Sequence, residues 1–176
     1  MTTATDTRES LSAALKTSTA EAHDKAEHSV FMDDLLAGKL SVADFIALQE
    51  QSWLFYSALE DAARAVADHP LASGIVDPAL ERVNALEHDL DHLHGSTEWR
   101  TTVTPLPATA EYIARLNDIE ETKDVARLLA HHYVRYLGDL SGGQVIGRMM
   151  QRHYGVSDEC VTFYRFAEIP KTKPYK

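Results

Sequence analysis

Gly138-Asp139-Leu140-Ser141-Gly142-Gly143-Gln144 interrupts what otherwise reads as one long apolar helix from about Lys123 to Tyr154. Glycine costs roughly 1 kcal/mol against alanine inside a helix, so three glycines in six residues need a reason that outweighs propensity. Close approach is one such reason: without side chains, a helical face can lie against a flat ligand or another helix. Asp139, Ser141 and Gln144 favour a ligand, because a wholly apolar contact would leave them poorly satisfied. A kink or tight helix crossing is the plainer alternative, since glycine and serine pairs also bend helices.

Outward from this stretch the apolar residues keep a helical period. Glu9 to Glu27 predicts a helix with Leu11, Ala14, Leu15, Ser18 and Ala22 on one face. Phe31, Met32, Leu35 and Leu36 predict a short helix ending at Gly38. Ser41 and Asp44 read as an N-cap and its capping carboxylate for a helix carrying Phe45, Leu48, Phe55, Leu59 and Val66, reinforced by Trp53 and Tyr56 and closed by Pro70. Asp77-Pro78 is expected to open the next helix, with Leu80, Val83, Leu86, Leu90 and Leu93 as its buried stripe. Pro105 and Pro107 precede a shorter helix from Thr109 to about Ile119. Strand-like alternation is absent, so the expected class is all-α. Near the end, Phe163, Phe166 and Ile169 offer new apolar surface, which suggests the start of a further helix.

A chain of 176 residues, 44% hydrophobic and 25% charged, suits one domain with a sizeable core, here taken as residues 1–176. Lys and Arg number 17 against 27 Asp and Glu, for a net charge of -10, which argues against a general nucleic-acid binder. The single cysteine, Cys160, cannot form an internal disulfide, so a reducing, cytoplasmic setting is expected. No apolar run approaches the roughly 20 residues of a membrane span, and residues 1–9 lack the pattern of a secretion signal, so no stable membrane insertion is expected.

Among the histidines, His23 stands out. Glu27 follows it by one helical turn and can order one ring nitrogen, which fixes the tautomer and strengthens the imidazole as a metal donor. Lys16 lies two turns earlier. An ordinary surface or core histidine and a solvated lysine remain open on the residues alone. His88 and His92 share a helical face near Asp91, but without a second strong cluster the tract reads as solvated surface or incidental metal affinity. His131-His132 places one ring at a helix contact and the other towards water, and His28 and His153 lack an evident partner. The repeated Glu-x-x-His units of a ferritin-like carboxylate site are missing. Cys160 has no histidine near it in sequence, Ser141 is not on a strand-to-helix elbow, and the glycines do not follow phosphate-loop spacing.

Two stretches together resemble the haem oxygenase family, in the manner of its bacterial, corynebacterial-type members. They are Leu15-Lys16-Thr17-Ser18-Thr19-Ala20-Glu21-Ala22-His23-Asp24-Lys25-Ala26-Glu27 and Tyr133-Val134-Arg135-Tyr136-Leu137-Gly138-Asp139-Leu140-Ser141-Gly142-Gly143-Gln144. The resemblance implies haem b, as both substrate and cofactor, held between a proximal and a distal helix. It makes His23 the axial ligand, with Glu27 in its hydrogen-bonding shell. Gly138, Gly142 and Gly143 become the bend of the distal helix, and Asp139 the organiser of water and protons on the oxygen side. Lys16, Tyr133 and Lys176 match propionate contacts. The reaction implied consumes O2 and electrons and opens the ring, at the alpha-meso carbon, to biliverdin, carbon monoxide and ferrous iron, in the service of iron acquisition. An external reductase or ferredoxin-type donor is implied, as is a monomer. The family continues past Lys176 into another helix, so the expectation is a domain lacking that helix. A haem carrier or sensor without ring-opening activity is the alternative.

Overall fold

Helix boundaries in the computed structural model, which describes residues 10–169 and 171–175, follow local capping chemistry closely at some ends and depart from it at others. Helix α1 runs Leu11–Glu27, with Ser10 accepting from Ala13 N at 3.3 Å. Glu9 and the side chain of Leu11 lie outside the described residues. Ala14 and Leu15 are half-buried, whereas Ser18 and Ala22 are exposed, so only the first half of the expected face is covered. Helix α2, Val30–Leu36, ends at Ala37, and Gly38 follows at φ +72. Tyr154 Oη donates to Leu35 O at 2.8 Å across that end.

Helix α3, Val42–Ala65, is the longest described element and packs chiefly against three later helices. Its start is the capping box that Ser41 and Asp44 predict: Ser41 N donates to Asp44 Oδ2 at 2.8 Å, and Asp44 N to Ser41 Oγ at 3.3 Å. It stops at Val66 rather than Pro70, and turns carry the chain onward. Phe45, Tyr56, Leu59, Ala62 and Ala63 on α3 meet Leu86, Leu116, Ile119, Leu128 and Met150 in the core.

Asp77-Pro78 does not open a long helix. Asp77 caps only the single 3-10 turn Pro78–Leu80, and α4 begins at Val83, running to His94. The start of α4 is capped instead from α3: the buried Glu60 accepts from Arg82 N and, at 3.0 Å, from Val83 N. Burial holds the Glu60 carboxyl above its ordinary range, while those two backbone bonds pull it down.

Helix α5, Pro107–Thr122, is longer at both ends than its sequence pattern suggests, because Pro107 occupies the first turn, where its missing N–H costs nothing. Lys123 at φ +53 ends it, and Asp124 caps α6, Val125–Gly138. A π-helical segment, Asp139–Gly143, joins α6 to α7, Gln144–Tyr154. The expected single helix is therefore near-continuous, with one wide turn where the glycines fall.

Phe163, Phe166 and Ile169 are buried rather than offered to solvent. The segment carrying them forms the 3-10 turns Asp158–Cys160 and Thr162–Tyr164, and one helical turn, α8, follows at Thr172–Tyr175. Two charged side chains hold it. Asp89, fully buried on α4, accepts from Thr162 N and Phe163 N, each at 2.9 Å. Arg82 donates to Leu80 O at 2.9 Å, Arg165 O at 2.9 Å and Phe163 O at 3.3 Å, with its guanidinium 4.0 Å over the Phe166 ring. Among the described residues no helix is long and apolar enough to cross a membrane.

Candidate functional site

The glycines of the π-helical turn divide by direction. A Cβ built on Gly138 or Gly142 meets nothing within 4 Å, so both look onto open space. A Cβ on Gly143 would come within 3.4 Å of Tyr164 Cδ1, and one on Gly147 within 3.2 Å of Tyr164 Cβ. Gly143 is thus an interior packing position, whereas Gly138 and Gly142 are exposed. Val134 and Val145, exposed at 54% and 45%, extend the open side along the same helices. The result is a low, apolar strip: Val134, Gly138, Gly142 and Val145. Inserting a wider turn re-aims side chains, and such bulges recur at functional sites.

Asp139 occupies the same turn and points the other way. Its Oδ2 accepts a short hydrogen bond from the hydroxyl of Tyr56 on α3. Tyr56 is 2% exposed and ringed by Phe55, Tyr136 and Phe163. Burial raises the Asp139 carboxyl to about 6, while the Tyr56 hydrogen bond and the charges of Arg135 and Arg82 oppose the rise. Burial, and after it the Asp139 charge, pushes the Tyr56 phenol well above its ordinary range, so it remains a donor at neutral pH. Arg135 is held over the rings of Phe55 and Tyr112, at 4.3 and 4.9 Å. A carboxyl that titrates near 6 can carry a proton in one state and release it in the other.

On α1, His23 Nδ1 lies 3.3 Å from Glu27 Oε2. The pair is 69% and 60% exposed, so the Nε2 edge of the imidazole is accessible for ligation. Lys16 is exposed about two turns earlier on the same helix, and Tyr133 is half-buried on α6. Lys176 lies outside the described residues. The structure therefore pairs His23 with Glu27 and puts Asp139, Gly138 and Gly142 on one turn, with the two groups on different helices. Gln144 turns from the strip and lines a cavity of about 200 Å³ with Gly147, Arg148, Val161 and Tyr164.

Of the two adjacent histidines one makes the expected helix contact, but the other is packed on a ring rather than turned fully to water. His132 is buried against Tyr136, ring centroids 4.5 Å apart, and His131 is half-buried beside Tyr112. Tyr56 and Arg135 were not singled out by the sequence. Tyr56 reads there as one more aromatic on an apolar helical face, and its partner is 83 positions away.

Residues 9–176 match the sequence model of the family described as Heme oxygenase. The Heme oxygenase 1 of Synechocystis is 35% identical over 166 residues, covering 94% of this chain and 68% of the relative. The Heme oxygenase 1 of Gallus gallus is 35% identical over 169 residues, covering 94% of this chain and 56% of the relative. Among solved structures, heme oxygenase from Leptospira interrogans superposes with a TM-score of 0.88 at 32% identity, covering 95% of this chain and 81% of that one. The crystal structure of Synechocystis heme oxygenase-1 in complex with heme superposes with a TM-score of 0.84 at 34% identity, covering 93% and 73%. Matched by the family model over residues 9–176, and by relatives about a third identical over more than nine-tenths of its length, this chain belongs to the haem oxygenase family.

Proposed function

We propose that this chain performs the reaction of its family, the O2- and electron-dependent opening of haem b at the alpha-meso carbon to biliverdin, carbon monoxide and ferrous iron. The observation that carries the reading is the two-sidedness of one π-helical turn. Gly138 and Gly142 leave space outward, while Asp139, anchored inward by Tyr56, holds a carboxyl that titrates near 6. A carrier or sensor needs the open face and the axial ligand but has less use for such a carboxyl.

Bound haem supplies a redox-active iron and the oxidisable ring carbon; the protein supplies position and protons. His23 offers Nε2 to the iron because Glu27 engages Nδ1, the usual way a carboxylate orients a ligating imidazole. Lys16, Tyr133 and Lys176 anchor the propionates, with the charge of the lysines orienting the ring. Gly138 and Gly142 would let the distal helix lie close over the macrocycle, and Gly143, packed on Tyr164, fixes the path of that bend. Asp139, its Oδ2 kept in place by Tyr56, would hold water with its other carboxylate oxygen and relay protons through it to the oxygen side of a bound haem. Electrons come from an external reductase or ferredoxin-type partner. The chain acts as a monomer of the corynebacterial type, in the cytoplasm.

Haem-loaded protein supplied with a reductant, with and without O2, tests the reading. Loss of the intact-haem spectrum and appearance of a bilin by mass spectrometry only under O2 are expected. Asp139→Ala should retain haem and lose ring opening, and His23→Ala should lose the parent axial spectrum. Intact haem after aerobic reduction of the parent protein would refute the activity.

A further inference from the structure

We infer that His88, His92 and Glu159 form a site for a divalent first-row transition-metal cation, joining α4 to the Asp158–Cys160 turn. His88 and His92 are one helical turn apart, with ring centroids 4.3 Å apart. Glu159 Oε2 lies 3.3 Å from His88 Nε2 and 4.0 Å from His92 Nε2. One ligand atom from each of the three lies within 4.8 Å of the others. Donors around a tetrahedral ion with bonds of roughly 2.0–2.2 Å sit about 3.4 Å apart. Closing the triad therefore asks for movements of about 1 Å from solvent-facing side chains.

The tautomers favour a metal. His92 Nδ1 is 2.7 Å from His88 O, which can only accept, so Nδ1 carries the proton and Nε2 keeps its lone pair towards Glu159. His88 Nδ1 is buried with no hydrogen-bond partner, 3.6 Å from Asp89 Oδ1. Asp89 is already fixed by Thr162 and Phe163. A cation on His88 Nε2 places the ring proton on Nδ1, and a small closure gives that orphaned atom its acceptor in Asp89. Carboxylate, imidazole and metal in that order are the usual support of a ligating histidine. The cation therefore gives the unpartnered nitrogen its proton while the ring stays neutral, whereas an ion pair to Glu159 would need a second proton on His88.

Two imidazoles and one carboxylate with positions left for water suit Zn2+ and Fe2+ alike. Zinc from the surroundings and ferrous ion from ring opening are two sources of the same chemistry, and the second rests on the proposed function. Bound metal would clip α4 to the turn leading into Thr162–Tyr164, and hence to the Tyr164 ring beneath Gly143 and Gly147.

The untagged full chain, free of metal and haem, is titrated with Zn2+ by calorimetry and with Co2+ by visible absorption. One saturable equivalent is expected, with Co2+ d–d bands and a raised thermal midpoint. His92→Ala and Glu159→Gln should each weaken it by about a hundred-fold or more, beyond the usual cost of losing a supporting partner, while leaving the far-ultraviolet spectrum unchanged. Equal uptake by the parent and by the His92→Ala/Glu159→Gln double variant, or no saturable uptake, overturns the site. Direct anaerobic titration with Fe2+ assigns the source: one saturable equivalent that His92→Ala removes favours the ferrous product, and no saturable Fe2+ uptake favours zinc. None of these readouts uses haem or turnover, so the site fails or stands independently of the activity.

Discussion

The Tyr56 hydroxyl and the Asp139 carboxylate meet across the interface of α3 with the π-helical turn, 83 positions apart in sequence. That bond holds a carboxyl in a place where burial works against its charge. The two effects make separate predictions for stability and for catalysis.

Asp139 binds its proton more tightly folded than unfolded, about 6 against 3.8. The folded state therefore holds the extra proton between those values, and stability falls as pH rises through them and stays lower above. Asp139→Asn keeps an acceptor for Tyr56 and carries no charge. Its folding stability, read from denaturant melts, should exceed the parent's at pH 7–8 by on the order of 2–3 kcal/mol, and converge with it near pH 4. A stability below the parent's at pH 8 would contradict the burial cost.

Gly142→Ala should stabilise the haem-free protein, by up to about 1 kcal/mol, because its Cβ meets nothing within 4 Å. The same methyl stands on the proposed haem face, so haem affinity or turnover should drop. Gly147→Ala is the contrast: its Cβ falls 3.2 Å from Tyr164 Cβ and should cost about 1–2 kcal/mol. Denaturant melts with and without haem separate the two. Gly142→Ala with unchanged haem binding and turnover would place the ligand elsewhere.

His132 predicts acid sensitivity. Burial lowers its imidazole from 6.5 to about 4, so the unfolded chain takes up a proton that the folded one refuses. Its contribution is present above pH 6.5 and is lost as pH falls towards 4, with a slope of at most about 1.4 kcal/mol per pH unit. A neutral replacement such as His132→Gln should flatten the dependence of the urea midpoint on pH in that window, whatever it does to the midpoint at pH 7.

Arg82 should resist conservative replacement. Its planar fork serves the carbonyls of Leu80, Phe163 and Arg165 at once, a geometry that a lysine ammonium cannot copy. Arg82→Lys is expected to cost about 2–4 kcal/mol by chemical denaturation, through buried carbonyls left unpaired. Glu60→Ala should lose about 1–3 kcal/mol for the two uncapped N–H groups at the start of α4.

What could be read from the sequence divides along the same physical line. Helical periodicity, the Ser41–Asp44 capping box, the Gly38 stop and the glycine break at 138–143 all depend on residues within a turn or two of each other. Each is present in the fold. Asp77-Pro78 misled because a cap signals where a helix can start, not how far it runs, and Glu60 from another helix supplied the cap that α4 uses. Gly138, Gly142 and Gly143 are alike as letters, yet only Tyr164, brought in from the following segment, separates the packing glycine from the two that face space.

The sequence by itself determined an all-α chain, and its two motifs pointed to haem oxygenases, because propensity, capping and motif spacing are written locally. Only the tertiary structure decided that Tyr56 holds Asp139, that Arg82 and Asp89 secure the segment bearing Tyr164, and that Glu159 stands opposite His88 and His92. Those partners come from separate helices and turns, and packing of the apolar core, rather than any rule linking distant residues, sets which of them meet.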